Sequence, residues 1–240
     1  MTRLSIEYDG TDFVGWARQP GLRSVQEELE RVLATVLQAQ VRLTVAGRTD
    51  KGVHAWGQVA AYPGPPVRLA SLNALLPRDI AVLACEEAPA GFDPRADAEA
   101  RTYCYRVLDR AQPSAFLRRT ALHWPHACDR ALLAACAAAL PGRHDFTAFT
   151  LADSGHHWFN REIEAAWWEQ DGDVLEFWIT ADAFLQHMNR TLVGTMLEVA
   201  QGRRELEQFV GLLDGAHRRE AGHTAKPHGM ALASVRFPGG

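Results

Sequence analysis

Gly47-Arg48-Thr49-Asp50-Lys51-Gly52-Val53-His54 sets one carboxylate between two cations, with glycines on either side. Glycine admits backbone angles that other residues resist, so such a segment can turn tightly and hold a side chain at a fixed angle. A neighbouring guanidinium keeps a carboxylate ionised, and an ionised aspartate is what nucleophilic or general-base chemistry at a carbon centre requires. Taken alone, the plainer alternative carries more weight. Gly and Asp are common turn formers, and the segment then reads as a strand-connecting turn with a solvated ion pair.

Three other segments place polar groups in apolar surroundings. Tyr8 to Gln19 interleaves Tyr8, Phe13 and Trp16 with Arg18 and Gln19. It reads equally as a surface hairpin or as a set of aromatic and cationic groups for stacking on bases and holding phosphates. Arg101-Thr102-Tyr103-Cys104-Tyr105-Arg106 alternates, so as a strand it puts Tyr103 and Tyr105 on one face. Phe184 to Arg190 brings a cation to the start of an apolar helix, where it opposes the helix dipole and calls for a carboxylate partner, Asp50 being a candidate.

The elements that must position these groups follow from periodicity. Arg3 to Asp9 alternates as a half-buried strand does, and Ser24-Val25-Gln26-Glu27 is a capping box opening a helix with Val25, Leu29, Val32, Leu33, Val36 and Leu37 on one face. Val41 to Ala46 and Trp56 to Tyr62 read as strands, Leu69 to Leu76 as a helix stopped by Pro77, and Ile80 to Ala84 as a strand. This order is a split βαβ pattern of the ferredoxin-like kind. The pattern then restarts with a strand at 102–108, a helix at 128–140, strands at 163–168 and 174–181, helices at 188–200 and 206–213, and a closing strand at 231–237. The expectation is an α+β chain in two subdomains, 1–97 carrying the Asp50 loop and 98–240.

Composition sets outer limits. Apolar residues at 47% and charged residues at 22% are the balance of an ordinary globular protein, and no run of roughly 20 apolar residues suggests a membrane helix. The opening residues run straight into strand-like sequence, so a cytoplasmic protein is expected. A net charge of −4 argues against indiscriminate coating of nucleic acid but leaves room for a basic cleft. Cys85, Cys104, Cys128 and Cys136 form no paired pattern and read as core thiols, while His123-x-x-His126 and His156-His157 lack the carboxylates of a metal site. No phosphate-binding loop, nucleophile elbow or dinucleotide fingerprint is present, which removes nucleotide hydrolysis, esterase chemistry and hydride transfer.

Taken in order, Tyr8-Asp9-Gly10 with Gly15-Trp16, Ser24 to Glu27, Gly47 to Asp50 with Gly52 to His54, Asn73 to Pro77, Phe92 to Arg95, Tyr103, Asp145 to Thr147, Phe184 to Arg190 with Gly194, and Gly222 to Gly229 resemble the bacterial tRNA pseudouridine synthase A family across essentially the whole chain. The resemblance implies an isomerase, an intramolecular transferase that converts uridine to pseudouridine at positions 38, 39 and 40 of the tRNA anticodon stem-loop. It implies no cofactor and no metal. It also implies two ferredoxin-like subdomains whose mostly antiparallel sheets join around a central active-site cleft, and a homodimer that places one tRNA across both subunits. Residue by residue, Asp50 corresponds to the essential aspartate, Arg48 to a base-flipping residue, Tyr103 to a stacking surface for uracil and Arg190 to the ion-pair partner of Asp50. Arg68 and Arg95 correspond to contacts with the RNA backbone.

Departures from the family pattern are Lys51 in place of a small residue, Asn189 in place of a frequent Val, and an unmatched loop at 111–119. Two other readings compete with the isomerase. A non-catalytic RNA-binding module of the same fold would not need Asp50, and a hydrolase or phosphotransferase would want a second acidic residue to hold magnesium, which the loop does not supply.

Overall fold

The alternating residues after Met1 form strand β1 (Thr2–Tyr8), with Leu4 and Ile6 fully buried, in a computed structural model that describes residues 1–151 and 158–239. Helix α1 (Val25–Leu37) starts where its capping residue predicts, the Ser24 hydroxyl accepting from the Glu27 amide, and buries Val25, Leu29, Val32 and Leu33. Strand β2 is shorter than its alternation suggests, Thr44–Val45 alone, because the Glu30 carboxylate of α1 takes the Leu43 amide at 3.0 Å. Strand β3 (His54–Tyr62), helix α2 (Leu69–Leu75) and strand β4 (Ile80–Glu87) follow. The strands run β4-β1-β3 with β2 paired antiparallel on the far edge of β3, which is the strand order of a ferredoxin-like unit.

A second series comprises β5 (Ala100–Leu108), β6 (Leu122–His123), α3 (Arg130–Ala138), β7 (Gly142–Asp145), β8 (Asn160–Asp171), β9 (Val174–Ala181), α4 (Met188–Ala200) and α5 (Leu206–Gly211). Its strands run β5-β9-β8-β7, with β6 beside β5. The two short strands β6 and β7 have no apolar alternation to announce them. The Asp129 carboxylate caps α3 by accepting from the Ala131 and Leu132 amides. Helix α4 is buried at every position except its two charged ones, Arg190 and Glu198, as befits a helix that is apolar almost all round.

The chain closes with β10 (Met230–Arg236). The structure divides into two compact units, Met1–Arg101 with Ala231–Gly240, and Thr102–Met230. In the first unit Ala231 and Leu232 pair in parallel with His54 and Ala55, so β10 takes the part of the β3 edge that the short β2 leaves. Gly57 permits that approach, since a Cβ there would lie 2.5 Å from the Ala233 carbonyl oxygen. Among the described residues no helix is long and apolar enough to cross a membrane. The α+β class with mostly antiparallel strands is therefore as the sequence indicates.

Candidate active site

Asp50 lies half-buried in the connection between β2 and β3, and the backbone on both sides of it is bonded to the loop that follows β1. The Trp16 amide donates to the Thr49 carbonyl at 3.0 Å, and the Gly52 amide donates to the Phe13 carbonyl at 3.3 Å. Within the turn the Val53 amide donates to the Asp50 carbonyl at 3.1 Å. Gly52 has φ +77 and Gly15 has φ +115, and a Cβ on Gly15 would lie 2.8 Å from the Thr49 carbonyl oxygen. These are the positions where glycine is required, one by backbone angle and one by both angle and proximity.

Buried polar side chains brace the same turn from below. The Tyr8 hydroxyl meets the Thr49 hydroxyl at 2.7 Å, and Gln58 Nε2 donates to the Gly47 carbonyl at 2.7 Å and to Tyr8 Oη at 3.4 Å. Tyr8, Thr49 and Gln58 are all buried. Burial pushes the Tyr8 phenol up to about 12, against the opposing pull of its bonds to Thr49 and Gln58, so it stays protonated at neutral pH. At the start of the turn Arg101 clasps the Ala46 carbonyl with Nε and Nη2, at 3.3 and 3.0 Å.

At its end the Gly10 amide donates to His54 Nδ1 at 3.0 Å. Asp9 Oδ1 lies 3.2 Å from the same Nδ1. Arg23 anchors the loop after β1 by a two-pronged bond to Asp79 at 2.7 and 2.9 Å, with its guanidinium carbon 4.1 Å from the centre of the Phe13 ring. The Asp79 bond is the main cause of its raised pKa.

The structure corrects the reading of residues 8–19. Tyr8, Phe13 and Trp16 are 4%, 1% and 1% exposed, so they form neither a surface hairpin nor a stacking surface but the apolar bed beneath the Asp50 turn. Gln58 and Arg101, which grip the turn from outside it, carry no local signal in the sequence. Of the residues matched to roles, Arg48 is exposed beside Asp50, and Arg68 is exposed at the start of α2. Arg95 is exposed in a turn where its amide donates to Asp93 and its carbonyl accepts from Arg101 at 2.8 Å.

Tyr103 and Arg190 belong to the second unit. Tyr103 is buried edge-on against Phe184 with ring centroids 5.0 Å apart. Next along β5, the Tyr105 hydroxyl donates to the Lys226 carbonyl at 2.7 Å. Arg190 is half-buried in the first turn of α4, its Nε donating to the Ala225 carbonyl at 2.8 Å. The residue before α4, His187, has φ 64, a left-handed angle uncommon outside glycine. His123 Nε2 lies 3.0 Å from the Arg110 carbonyl and His126 packs edge-on against Trp124, while His156-His157 falls outside the described residues.

Residues 136–238 match a family model described as tRNA pseudouridine synthase. A tRNA pseudouridine synthase A of Myxococcus xanthus is 41% identical, the match covering 99% of this chain and 92% of the relative. That of Geotalea uraniireducens (strain Rf4) is 38% identical over 98% of both chains. That of Geobacillus sp. (strain WCH70) is 37% identical over 98% of this chain and 97% of the relative.

Proposed function

Since the chain belongs to the tRNA pseudouridine synthase A family and is an isomerase of tRNA uridine, we propose that it acts at positions 38, 39 and 40 of the anticodon stem-loop with Asp50 as its catalytic residue. In this reaction the N1–C1′ bond of uridine breaks and a C5–C1′ bond forms. The C5 proton leaves, N1 gains one, and nothing is oxidised or reduced. A carboxylate suffices as nucleophile or base. The observation that carries the reading is the pinned turn, in which main-chain bonds on both sides of Asp50 fix its Cα while Tyr8, Thr49 and Gln58 fill the space below.

The other assignments follow from that one. A stem uridine is stacked and must be turned out before its C5 can be reached, and exposed Arg48 beside Asp50 has the length and charge to take its place in the helix. Tyr103 offers a ring face to the extruded uracil, Arg190 pairs with Asp50, and Arg68 and Arg95 hold phosphates. The working unit is a homodimer in the cytoplasm. The net charge of −4 supports pairing, because a groove for RNA gains from arginines contributed by two chains.

The test is to incubate the protein with unmodified tRNA, with and without chelator, and map pseudouridine by carbodiimide treatment and primer extension. Chelator-resistant stops at 38 to 40 are expected. Asp50→Asn, which keeps the side chain's size, should lower the rate by at least about 1,000-fold and leave tRNA affinity and melting temperature nearly unchanged. Stops outside the anticodon arm would overturn the substrate assignment, and an active Asp50→Asn protein would overturn the catalytic one.

A further inference from the structure

Arg190 is bonded to a segment 35 residues further on. His187 gives α4 no side-chain cap. Instead, residues 222–225, the middle of a strap formed by residues 217–229, run against the helix. Arg190 Nε donates to the Ala225 carbonyl at 2.8 Å, and the Ala225 amide returns a bond to the Arg190 carbonyl at 3.0 Å. Gly194 makes this closeness possible, since a Cβ there would collide with the His223 carbonyl. Thr195 Oγ1 accepts from the Gly222 amide at 3.0 Å while donating to the Thr191 carbonyl at 2.7 Å. Glu198, tied to Arg204 at 3.2 Å, accepts from the His223 amide at 3.3 Å.

The strap is held in shape at both ends. Beyond Ala225 the Tyr105 hydroxyl holds the Lys226 carbonyl, and Gly229 lies against the Tyr105 ring. Before it, Arg218 folds the turn upon itself. Its Nη1 donates to the Gly222 carbonyl at 3.0 Å, and its Nη2 donates to Thr224 Oγ1 at 2.9 Å. Thr224 Oγ1 in turn lies 3.2 Å from Thr191 Oγ1, one residue from Arg190. A guanidinium gripping a carbonyl and a hydroxyl in one turn fixes direction as well as distance, which an ammonium does not.

We propose that Arg218 is a positioning residue: by locking the 218–224 turn it sets the Ala225 carbonyl against Nε of Arg190 and so fixes the direction in which the Arg190 guanidinium points. This rests on the reading that Arg190 serves Asp50. A misplacement of a catalytic partner by about 1 Å costs on the order of 100-fold in rate, so loss of the Arg218 grip should appear in turnover and not in tRNA binding.

The experiment measures pseudouridine formation by the full chain on an unmodified tRNA transcript, under single-turnover and steady-state conditions, for Arg218→Ala, Arg218→Lys, Arg190→Lys and the double variant Arg190→Lys with Arg218→Ala. Arg218→Ala should lower the single-turnover rate about 10- to 100-fold with KM for tRNA little changed. Arg218→Lys should recover part of it. The double variant should be no slower than Arg190→Lys alone, because a strap has nothing left to aim.

A merely structural Arg218 would lower the melting temperature but leave the rate per folded molecule intact, and that result overturns the proposal. So does a double variant whose losses multiply. If Arg190→Lys itself keeps full rate, the reading of Arg190 fails; if it is slow while Arg218→Ala is fast, only the positioning role fails. Should Arg218→Ala not fold, Thr224→Val removes the hydroxyl that Arg218 grips at nearly constant volume and is judged by the same outcomes.

Discussion

The Asp50 turn is bonded through its main chain on both sides of the residue, whereas Arg190 is gripped through its own side chain by the main-chain carbonyl of Ala225 on a distant strap. The Asp50 turn is bonded through the Thr49 carbonyl and the Gly52 amide to a neighbouring loop, with glycines where angle or proximity demands them. Arg190 is held through its own Nε, and the carbonyl that receives it is kept in place by Arg218, Thr224 and Tyr105. A short aspartate has two side-chain torsions, so placing its Cα nearly places its carboxylate. A long arginine has four, and a fixed Cα leaves its guanidinium free over several ångströms unless something grips it. The two regions therefore spend their interactions at different points of the side chain.

Substituting the glycines of each region tests whether both depend on close backbone approach. Gly10→Ala would set a Cβ into the Val53 carbonyl beside the Asp50 turn, and Gly194→Ala would set one into the His223 carbonyl of the strap. In each case the obstacle is backbone, so each should cost at least about 3 kcal/mol of stability. For a chain of this size that is a fall of roughly 6 to 12 °C in melting temperature. Gly211→Ala, near the end of α5 with open space around it, is the control and should be neutral or slightly stabilising. A Gly10→Ala protein as stable as the wild type would mean that the loop after β1 yields, and that the Asp50 turn is less rigid than its bonds imply.

The buried braces beneath Asp50 make a second test, through pH. The Tyr8 phenol rises from its ordinary 10.0 to about 12 because it is buried. A raised folded-state value means that the unfolded chain releases the proton first. The stability tied to the protonated phenol is thus complete below pH 10 and lost as pH climbs toward 12, by about 3 kcal/mol in all. Tyr8→Phe cannot ionise. It should be less stable than wild type at pH 8 by about 1 kcal/mol, from the lost bond to Thr49, and should close that gap or overtake as pH rises. Urea unfolding of both proteins between pH 8 and 11 reads the difference, and a constant gap across that range would sink the account. Tyr62 and Tyr105, also raised by burial, are common to both proteins and cancel.

How much of this was legible in the sequence follows the same division. The Asp50 turn announces itself because its signs in the sequence are local: Gly47 and Gly52 flank the carboxylate, and alternating strand sequence lies on either side. Helix α1 was equally plain from Ser24 and its apolar spacing. Periodicity sees neither Gln58 and Arg101, which grip the turn from 11 and 55 residues away, nor the strap, since those bonds join segments that only the fold makes neighbours. The closing strand was visible as a strand but not its partner, because alternation marks a pleat and says nothing of which edge it meets. The aromatics Tyr8, Phe13 and Trp16 were misjudged for a related reason. Stacking surfaces and core fillers use the same residue types, and these three fill the core.

One residue beside Arg190 fits neither way of fixing a side chain. Asn189 is 3% exposed, and neither its Nδ2 nor its Oδ1 has a hydrogen-bond partner among the described residues. An amide buried without partners costs about 1 to 3 kcal/mol, and Asn and Val have nearly the same helix propensity. Asn189→Val should therefore stabilise the protein by about 1 to 2 kcal/mol, since valine fills a similar volume with no polar atom to satisfy. If the strap alone aims Arg190, turnover should not change. A stabilised variant with wild-type rate would confine the control of Arg190 to residues 217–229. A stabilised variant that turns over slowly would instead make the unpaired amide part of the apparatus, a group kept polar at a cost in stability because the reaction uses it.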